Sequence, residues 1–419
     1  MTEGYFHYNT LNKMHIELSS LCNSVCPNCP RYYMNSPNEI PELIPQSISI
    51  ENFKKWFPPE TMAKIQLLLF CGNHGDPVTC KDLLPIMEYC YQTLPKQGTL
   101  QMHTNGGMKS TKVWDRIGEM FSKREGWKMI FSIDGLEDTN HIYRRNVKWN
   151  KVMENVRAYT AHGGNSDWEF LIFKHNEHQL EEAKRMTAEL GIRTFSPKIA
   201  HGLDDGINVA TMPAINKEGK TDYHIYPPIE KKNRVNYIQD PDSDRITIKN
   251  KEFDNIHVLQ LDSPMAFQPG TSGLEKVTEN ELKEWDSHNI RPRCHREVFV
   301  SAAGFVTPCC WMGLIIPHVD HEDKVSGSFE QHQLKEKMLK IGLDKFNLHN
   351  DTLENILNEN RLNKVYSDDW DKTTACGKLV ACTKECGMPN VLDDTMSHED
   401  NPYKKKRVTT DHREHLLWT

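Results

Sequence analysis

Two rhythms of apolar and polar positions run through residues 13–200. Short apolar-rich runs at His15–Leu18, Ile65–Cys71, Thr99–His103, Met129–Ile133, Glu169–Phe173 and Arg193–Ile199 predict six strands. Between them, apolar residues recur every three or four positions. Residues 82–94 place Leu83, Met87, Cys90 and Leu94 on one helical face. Residues 147–161 do the same with Val152, Val156 and Tyr159. Residues 177–190 align Leu180, Ala183, Met186 and Leu190, and Gly191 follows as a helix stop. Strands alternating with helices are βα units, which bury themselves as a parallel sheet covered by helices. The pattern allows either an open sheet or a partial barrel.

The rhythm stops at residue 201. Residues 201–293 are rich in Asp, Asn, Lys and Pro and carry only short apolar runs, so they read as a linker or insert with scattered short elements. Apolar alternation returns at Glu297–Thr307, where two runs flank a small-residue turn at Gly304 and predict a hairpin. The expected organisation is 1–200, 201–293, 294–390 and a polar tail 391–419, whose basic run Lys404–Arg407 reads as solvated.

Composition narrows the partners. A chain of 419 residues suggests two or three domains at ~150 residues each. A net charge of −7 argues against a dominant nucleic-acid surface, so nucleic acid is not expected as a partner. No apolar run approaches the ~20 residues of a membrane-spanning helix, and no membrane partner is expected. The polar start Met1–Asn12 lacks a charged segment followed by an apolar one, which points to a cytoplasmic protein. Twelve cysteines, grouped toward the two ends, then read as metal ligands rather than disulfides.

Cys22, Cys26 and Cys29 stand three and two residues apart just after the first predicted strand. Three thiolates on one loop suit three irons of a 4Fe–4S cube and leave the fourth iron open. The alternative is a zinc knuckle with His15 as fourth ligand. Cys71-Gly-Asn-His-Gly-Asp76-Pro77 follows the second strand, His103-Thr-Asn105-Gly-Gly107 the third, and Ser132-Ile-Asp134-Gly135 the fourth, with His141 and Tyr143-Arg144 beyond. Each could also be turn chemistry alone. Cys71 and Cys90 read as packing residues.

The Cys-x3-Cys-x2-Cys loop after a first strand resembles the radical SAM superfamily. In that family the open iron holds S-adenosylmethionine, and reductive cleavage gives a 5′-deoxyadenosyl radical that abstracts hydrogen. The resemblance implies that Gly72, Gly75, Asp76, Asn105, Ser132 and Asp134 contact the cofactor or substrate. The 71–77 segment resembles the family's Gly-Gly-Glu-Pro motif with Asp for Glu, and the third and fourth strand ends resemble the peptide-modifying branch. Asn28 replaces the usual aromatic residue before the third cysteine, which leaves Tyr32 or Tyr33 as substitutes for the adenine contact.

A second group comprises Cys294, Cys309, Cys310, Cys376, Cys382 and Cys386. Cys294, a gap, Gly304, four residues and Cys309 resemble the opening of the twitch/SPASM auxiliary-cluster domain. Thr373 stands where the full pattern has another cysteine, and none follows Cys386, so the one-cluster twitch form fits better. The resemblance implies Cys294, Cys309 and Cys386 as ligands, with Cys376 or Cys382 as the fourth. A structural zinc site is the alternative. Cys310 is an alternative ligand, a substrate-facing catalytic thiol or a packing residue.

The expectation is therefore an α/β protein: a partial (β/α)6 radical SAM barrel with a small C-terminal α+β twitch domain. It would carry a SAM-binding 4Fe–4S cluster, one auxiliary 4Fe–4S cluster and S-adenosyl-L-methionine. An external electron donor such as flavodoxin or ferredoxin would serve it. The implied function is radical oxidation or cross-linking of a carbon on a peptide or protein. The alternatives are a radical SAM dehydrogenase of an aminosugar or nucleotide, and a non-enzymatic Fe–S carrier or zinc-stabilised binding protein. Only about twelve residues precede the first strand, so no peptide-recognition wing is expected there.

Overall fold

The computed structural model describes residues 5–27, 29–32, 39, 43–200, 208–230, 233, 237–239, 246–248, 257–259, 282–283, 286–290, 294, 296–315 and 329–389. Asn28, Tyr33, the tail 391–419 and much of the 201–293 insert lie outside the described residues.

Six parallel strands form the frame: β1 (Lys13–Ile16), β2 (Leu67–Phe70), β3 (Thr99–Thr104), β4 (Trp127–Ser132), β5 (Ser166–Ile172) and β6 (Thr194–Ile199). Between them run α1 (Ile50–Trp56), α2 (Pro59–Met62), α3 (Leu83–Thr93), α4 (Thr111–Ser122), α5 (Asn140–Tyr143), α6 (Trp149–Thr160) and α7 (Leu180–Glu189). The strands lie side by side in chain order, and the sheet does not close on itself. This is a partial (β/α)6 barrel. The helices follow the predicted faces: α3 buries Leu83, Ile86, Met87, Tyr89 and Cys90, and α6 buries Val152, Val156 and Tyr159. After α7, Gly191 takes φ +72°, the left-handed value that lets the chain turn into β6.

β1 begins and ends two residues earlier than the apolar run suggests. Its ladder with β2 ends at Ile16↔Phe70. Beyond that point the Glu17 carboxylate accepts the backbone N–H groups of His74 (2.6 Å) and Gly75 (3.2 Å), and the strand becomes a site loop.

Alternate strand residues take different surroundings. Met14, Ile16, Leu68, Phe70, Leu100, Met102, Trp127, Met129, Phe131, Trp168 and Phe170 join the helices in one apolar core. The opposite positions carry His15, Gln101, His103, Lys128, Asp167, Glu169 and Lys198. A parallel barrel filled for stability alone carries branched apolar side chains there. Here those polar side chains share the inner face with buried Leu69 and Ile130.

Within the insert, β7 (Asn208–Ala210) pairs with β12 (His257–Leu259), β8 (Met212–Ile215) with β9 (Thr221–Ile225), and β10 (Tyr237–Gln239) with β11 (Ile246–Ile248). β13 (His288–Ile290) pairs with β16 (Gly387–Pro389), so the end of the insert meets the end of the C-terminal region. The predicted hairpin forms as β14 (Glu297–Val300) and β15 (Val306–Thr307). β14 lies parallel to the free edge of β1, Lys13↔Glu297 through Ile16↔Val300, so the hairpin extends the barrel sheet to eight strands. Among the described residues no helix is long and apolar enough to cross a membrane.

Candidate functional site

The three N-terminal cysteines occupy the loop directly after β1, at the strand's C-terminal end, where βα folds carry their chemistry. Hydrogen bonds hold this loop from several directions. Val25 N–H donates to Arg145 O (3.0 Å), Cys29 N–H to Cys26 O (3.1 Å) and Tyr32 N–H to Cys29 O (3.0 Å). The Tyr32 hydroxyl donates to Ser24 O (2.7 Å), so this ring braces the loop.

Polar groups converge on the sulfurs. Ser24 N–H donates to Cys22 Sγ (3.4 Å), and Asn105 Nδ2 reaches the same sulfur at 3.7 Å. Ser24 Oγ lies 3.0 Å from Cys26 Sγ, and an Arg144 guanidinium N–H donates to that sulfur at 3.8 Å. Burial first, then the Asp76 charge and the neighbouring Cys26 and Cys29, raises the Cys22 thiol far above its ordinary value. Burial and then Cys26 push Cys29 up to about 12. Thiols raised like those of Cys22 and Cys29 become thiolates only beside a strong positive charge, which a metal centre supplies.

Among the described residues no group of three His, Cys, Asp or Glu is gathered tightly enough for a single metal ion. A cube is a larger object in which each iron takes its own thiolate, so spaced thiols with N–H and O–H groups aimed at them fit it better than zinc. His15 does not complete a zinc set: its Nε2 lies 2.7 Å from Cys71 O, against β2.

The loop after β2 lies on the cysteine loop. A Cβ on Gly75 would stand 1.9 Å from Ser19 O, and one on Gly72 would stand 2.1 Å from Gly75 O. Only glycine allows this double approach. Asp76 N–H donates to Leu21 O (2.8 Å). The Asp76 carboxylate accepts from Val78 N–H (3.0 Å), Asn105 N–H (2.8 Å) and Thr104 Oγ1 (3.0 Å). Burial raises its pKa, and those hydrogen bonds oppose the rise. Asp76 thus ties the ends of β2 and β3 together. Asn105 Oδ1 accepts from Gly107 N–H (2.8 Å), while Nδ2 donates to Asn23 (2.9 Å), beside Cys22.

Ser132 closes β4 in register with Glu169. Asp134 is fully buried, its carboxylate accepting from Leu171 N–H (2.7 Å) and from Arg144 Nε (2.5 Å). Burial lifts the Asp134 pKa and Arg144 opposes the lift.

Deeper in the barrel, Lys198 Nζ stands 3.0 Å and His103 Nδ1 3.8 Å from Glu169 Oε2. Burial alone would raise the Glu169 carboxyl, but Lys198 and then His103 hold it below its ordinary value. Burial brings His103 and His15 down to about 4, so both rings are neutral near pH 7. The Nδ1 atoms of both rings have no hydrogen-bond partner. Cys71 belongs to this interior. After burial, the charges that act most on its thiol are those of Cys310, Glu169 and Glu17. Cys71 is half-buried beside these groups, whereas Cys90 sits in the apolar core as expected. Inward-facing His15, His103, Glu169 and Lys198 carried a sequence signal: polar residues at every second position of otherwise apolar strands.

The second thiol group gathers where the C-terminal region meets the barrel edge. Burial, then Cys382 and Cys386, raises the Cys294 thiol well above its ordinary value. Cys309 is raised likewise by burial, Cys294, Cys310 and Cys382. Cys382 is pushed up to about 12 by burial and Cys386. Cys376 is exposed and faces Lys372 instead. β15 ends at Thr307 and Cys310 starts the helix Cys310–Ile315, so strand alternation does not govern Cys309 and Cys310. Cys309 lies within electrostatic reach of Cys294, Cys310 and Cys382, and Cys310 within reach of Cys71. Asn73 Nδ2 donates to Cys310 O (2.7 Å), joining this helix to the loop after β2.

No family model matches the chain, and no curated protein matches it in sequence. Solved structures do. SuiB of Streptococcus suis bound to its precursor peptide SuiA is 12% identical, with a TM-score of 0.43 over 80% of this chain and 68% of that one. SuiB bound to S-adenosylmethionine is 12% identical, with a TM-score of 0.41 over 74% of this chain. Coproporphyrinogen III oxidase (HemN) from Escherichia coli, a radical SAM enzyme, is 9% identical, with a TM-score of 0.33 over 46% of this chain. The chain spans 61% of the length of SuiB with S-adenosylmethionine and 45% of HemN.

Proposed function

We propose that the chain is a radical SAM enzyme that acts on a carbon of a peptide or protein. The observation that carries the reading is the set of three thiols on the loop after β1, Cys26 buried and Cys22 and Cys29 half-buried, with N–H groups of Ser24 and Asn105 aimed at Cys22 Sγ and of Arg144 at Cys26 Sγ. Cys22, Cys26 and Cys29 would hold a 4Fe–4S cluster. When bound, that cluster and S-adenosylmethionine supply the electron and the sulfonium from which a 5′-deoxyadenosyl radical is released. Gly72 and Gly75 keep the loop after β2 close to the cysteines. Asp76, Asn105, Ser132 and Asp134 lie at the ends of β2, β3 and β4; Asn105 and Ser132 would orient a cofactor, and the buried carboxylates of Asp76 and Asp134 would hold the loops that do so. The likeness of the third and fourth strand ends to the peptide-modifying branch supports the substrate class.

Cys294, Cys309, Cys382 and Cys386 would hold one auxiliary cluster, with Cys382 rather than Cys376 as the fourth ligand. Cys310, within electrostatic reach of Cys71, would be the substrate-facing thiol. Cys310→Ala should keep its iron and its cofactor cleavage and lose turnover of substrate. Lost auxiliary iron would make Cys310 a ligand instead, and unchanged turnover would make it a packing residue.

The test of the whole reading is chemical. The anaerobically reconstituted protein, reduced with dithionite and given S-adenosylmethionine, should form 5′-deoxyadenosine. An electron carrier or zinc protein forms none. Stimulation by peptides rather than by aminosugars or nucleotides would support the substrate class, and the reverse would overturn it.

A further inference from the structure

We infer that Arg144 sets the reduction potential of the metal centre on Cys22, Cys26 and Cys29, acting as a fixed positive charge against Cys26. The inference rests on the cluster assignment above and concerns a residue that ligates nothing.

Arg144 is half committed to a carboxylate and half to a sulfur. Its Nε donates to Asp134 Oδ2 (2.5 Å) and one of its terminal nitrogens to Cys26 Sγ (3.8 Å). A guanidinium has five N–H donors in a rigid plane and stays charged at all working pH values. Its orientation is therefore fixed by whatever anchors one edge. Asp134 is such an anchor. Its other carboxylate oxygen accepts from Leu171 N–H (2.7 Å), its own N–H donates to Asn140 Oδ1 (2.9 Å), and its carbonyl accepts from Asn176 Nδ2 (2.9 Å).

The cysteine loop is pinned to the same stretch of chain. Arg145 O accepts from Val25 N–H (3.0 Å) and from Ser24 Oγ (3.3 Å). Loop and guanidinium thus keep their mutual distance. The Arg144–Asp134 pair is neutral as a whole, but its positive end touches the sulfur. Cys29 also feels Arg144, after burial, Cys26 and Arg31.

The electrostatic consequence has a definite sign. Each electron added to a cluster makes it more negative, and a nearby cation in a poorly solvated site favours the more negative form. Hydrogen bonds to cluster sulfurs act in the same direction. Arg144 therefore raises the potential, and its loss lowers it.

The measurement is an EPR-monitored redox titration of the reconstituted full chain. The N-terminal cluster is identified as the signal that changes when S-adenosylmethionine is added. Arg144→Met should reduce the reduced-to-oxidised ratio at a fixed potential at least tenfold, equivalent to about 59 mV for a one-electron couple. Arg144→Lys, which keeps the charge, should recover most of that loss. A Met variant with full iron and the wild-type midpoint overturns the inference. Should the Met variant fail to hold iron, Arg144→Gln and Arg144→Lys decide it: a low Gln midpoint with a near-normal Lys midpoint supports the role, and equal midpoints defeat it. A wild-type chain that takes up no cluster on the three N-terminal cysteines defeats the cluster assignment instead, and that result is read from iron content before any titration.

Discussion

Cys376 and Cys382 lie six positions apart in sequence but in different surroundings. Cys376 is exposed beside Lys372, whereas Cys382 shares the charges of Cys294, Cys309 and Cys386. The spacing along the chain left both open as ligands, because it says nothing about which thiol a short helix turns inward. Here the helix Val380–Cys386 carries Cys382 and Cys386 four residues apart, on one face. Cys382→Ser should therefore lose on the order of four irons per chain, the content of one cube. Cys376→Ser should keep them. Equal iron in the two variants, by colorimetric assay, would remove Cys382 from the proposed set.

At the scale of elements, close contact between loops decides more than any single side chain. Gly75 lies where a Cβ would stand 1.9 Å from Ser19 O and 2.7 Å from Ser20 C, both backbone atoms that cannot swing away. Gly75→Ala should cost about 1–3 kcal/mol, as overpacking does, and should lower iron uptake by the N-terminal loop. An unchanged urea midpoint with full iron would show that the two loops can part freely. A second tie holds the C-terminal region. Lys337 Nζ reaches both Val365 O (3.1 Å) and the Asp369 carboxylate (2.5 Å), joining the helix Phe329–Ile341 to the chain after Asn363. Burial alone would raise the Asp369 pKa, but Lys337 and then Lys372 bring it below its ordinary value. A depressed aspartate contributes stability above its unfolded pKa of about 3.9 and loses it as pH falls through the folded value. Lys337→Met should thus cost roughly 2 kcal/mol at pH 7, and its deficit against wild type should shrink below about pH 4. A deficit that is constant from pH 7 to pH 3 would show that the pair is not its source. These ties also mark what the sequence could disclose. The six βα strands, the hairpin and the cysteine loop were legible because apolar period and cysteine spacing are local signals. Arg144 stood in the segment after the fourth strand, but its reach to Cys26 did not show; Glu17 and the His103–Glu169–Lys198 group act across strands that are distant in sequence, and only alternation hinted at them.

For the whole molecule, the two thiol groups belong to one continuous framework. β14 pairs with β1, and the Glu17 N–H just after β1 donates to Val300 O (2.9 Å) at the end of β14. The N-terminal segment adds a second strap. Phe6 N–H donates to Asn363 Oδ1 (2.9 Å), Asn363 Nδ2 returns to Phe6 O (3.0 Å), and the Tyr5 and Trp370 rings meet edge-on with centroids 4.9 Å apart. Tyr5 lies within the electrostatic reach of Cys294 and Cys386, so this strap ends at the second thiol group. The framework predicts two separable metal centres in one folded unit. The most direct test is iron content with 5′-deoxyadenosine formation, in wild type and in a variant with Cys22, Cys26 and Cys29 all changed to Ala. Wild type should carry about eight irons per chain as two cubes and form 5′-deoxyadenosine after reduction. The variant should keep about four irons and form none. Unchanged iron in the variant, or 5′-deoxyadenosine formed without those three thiols, would contradict the account.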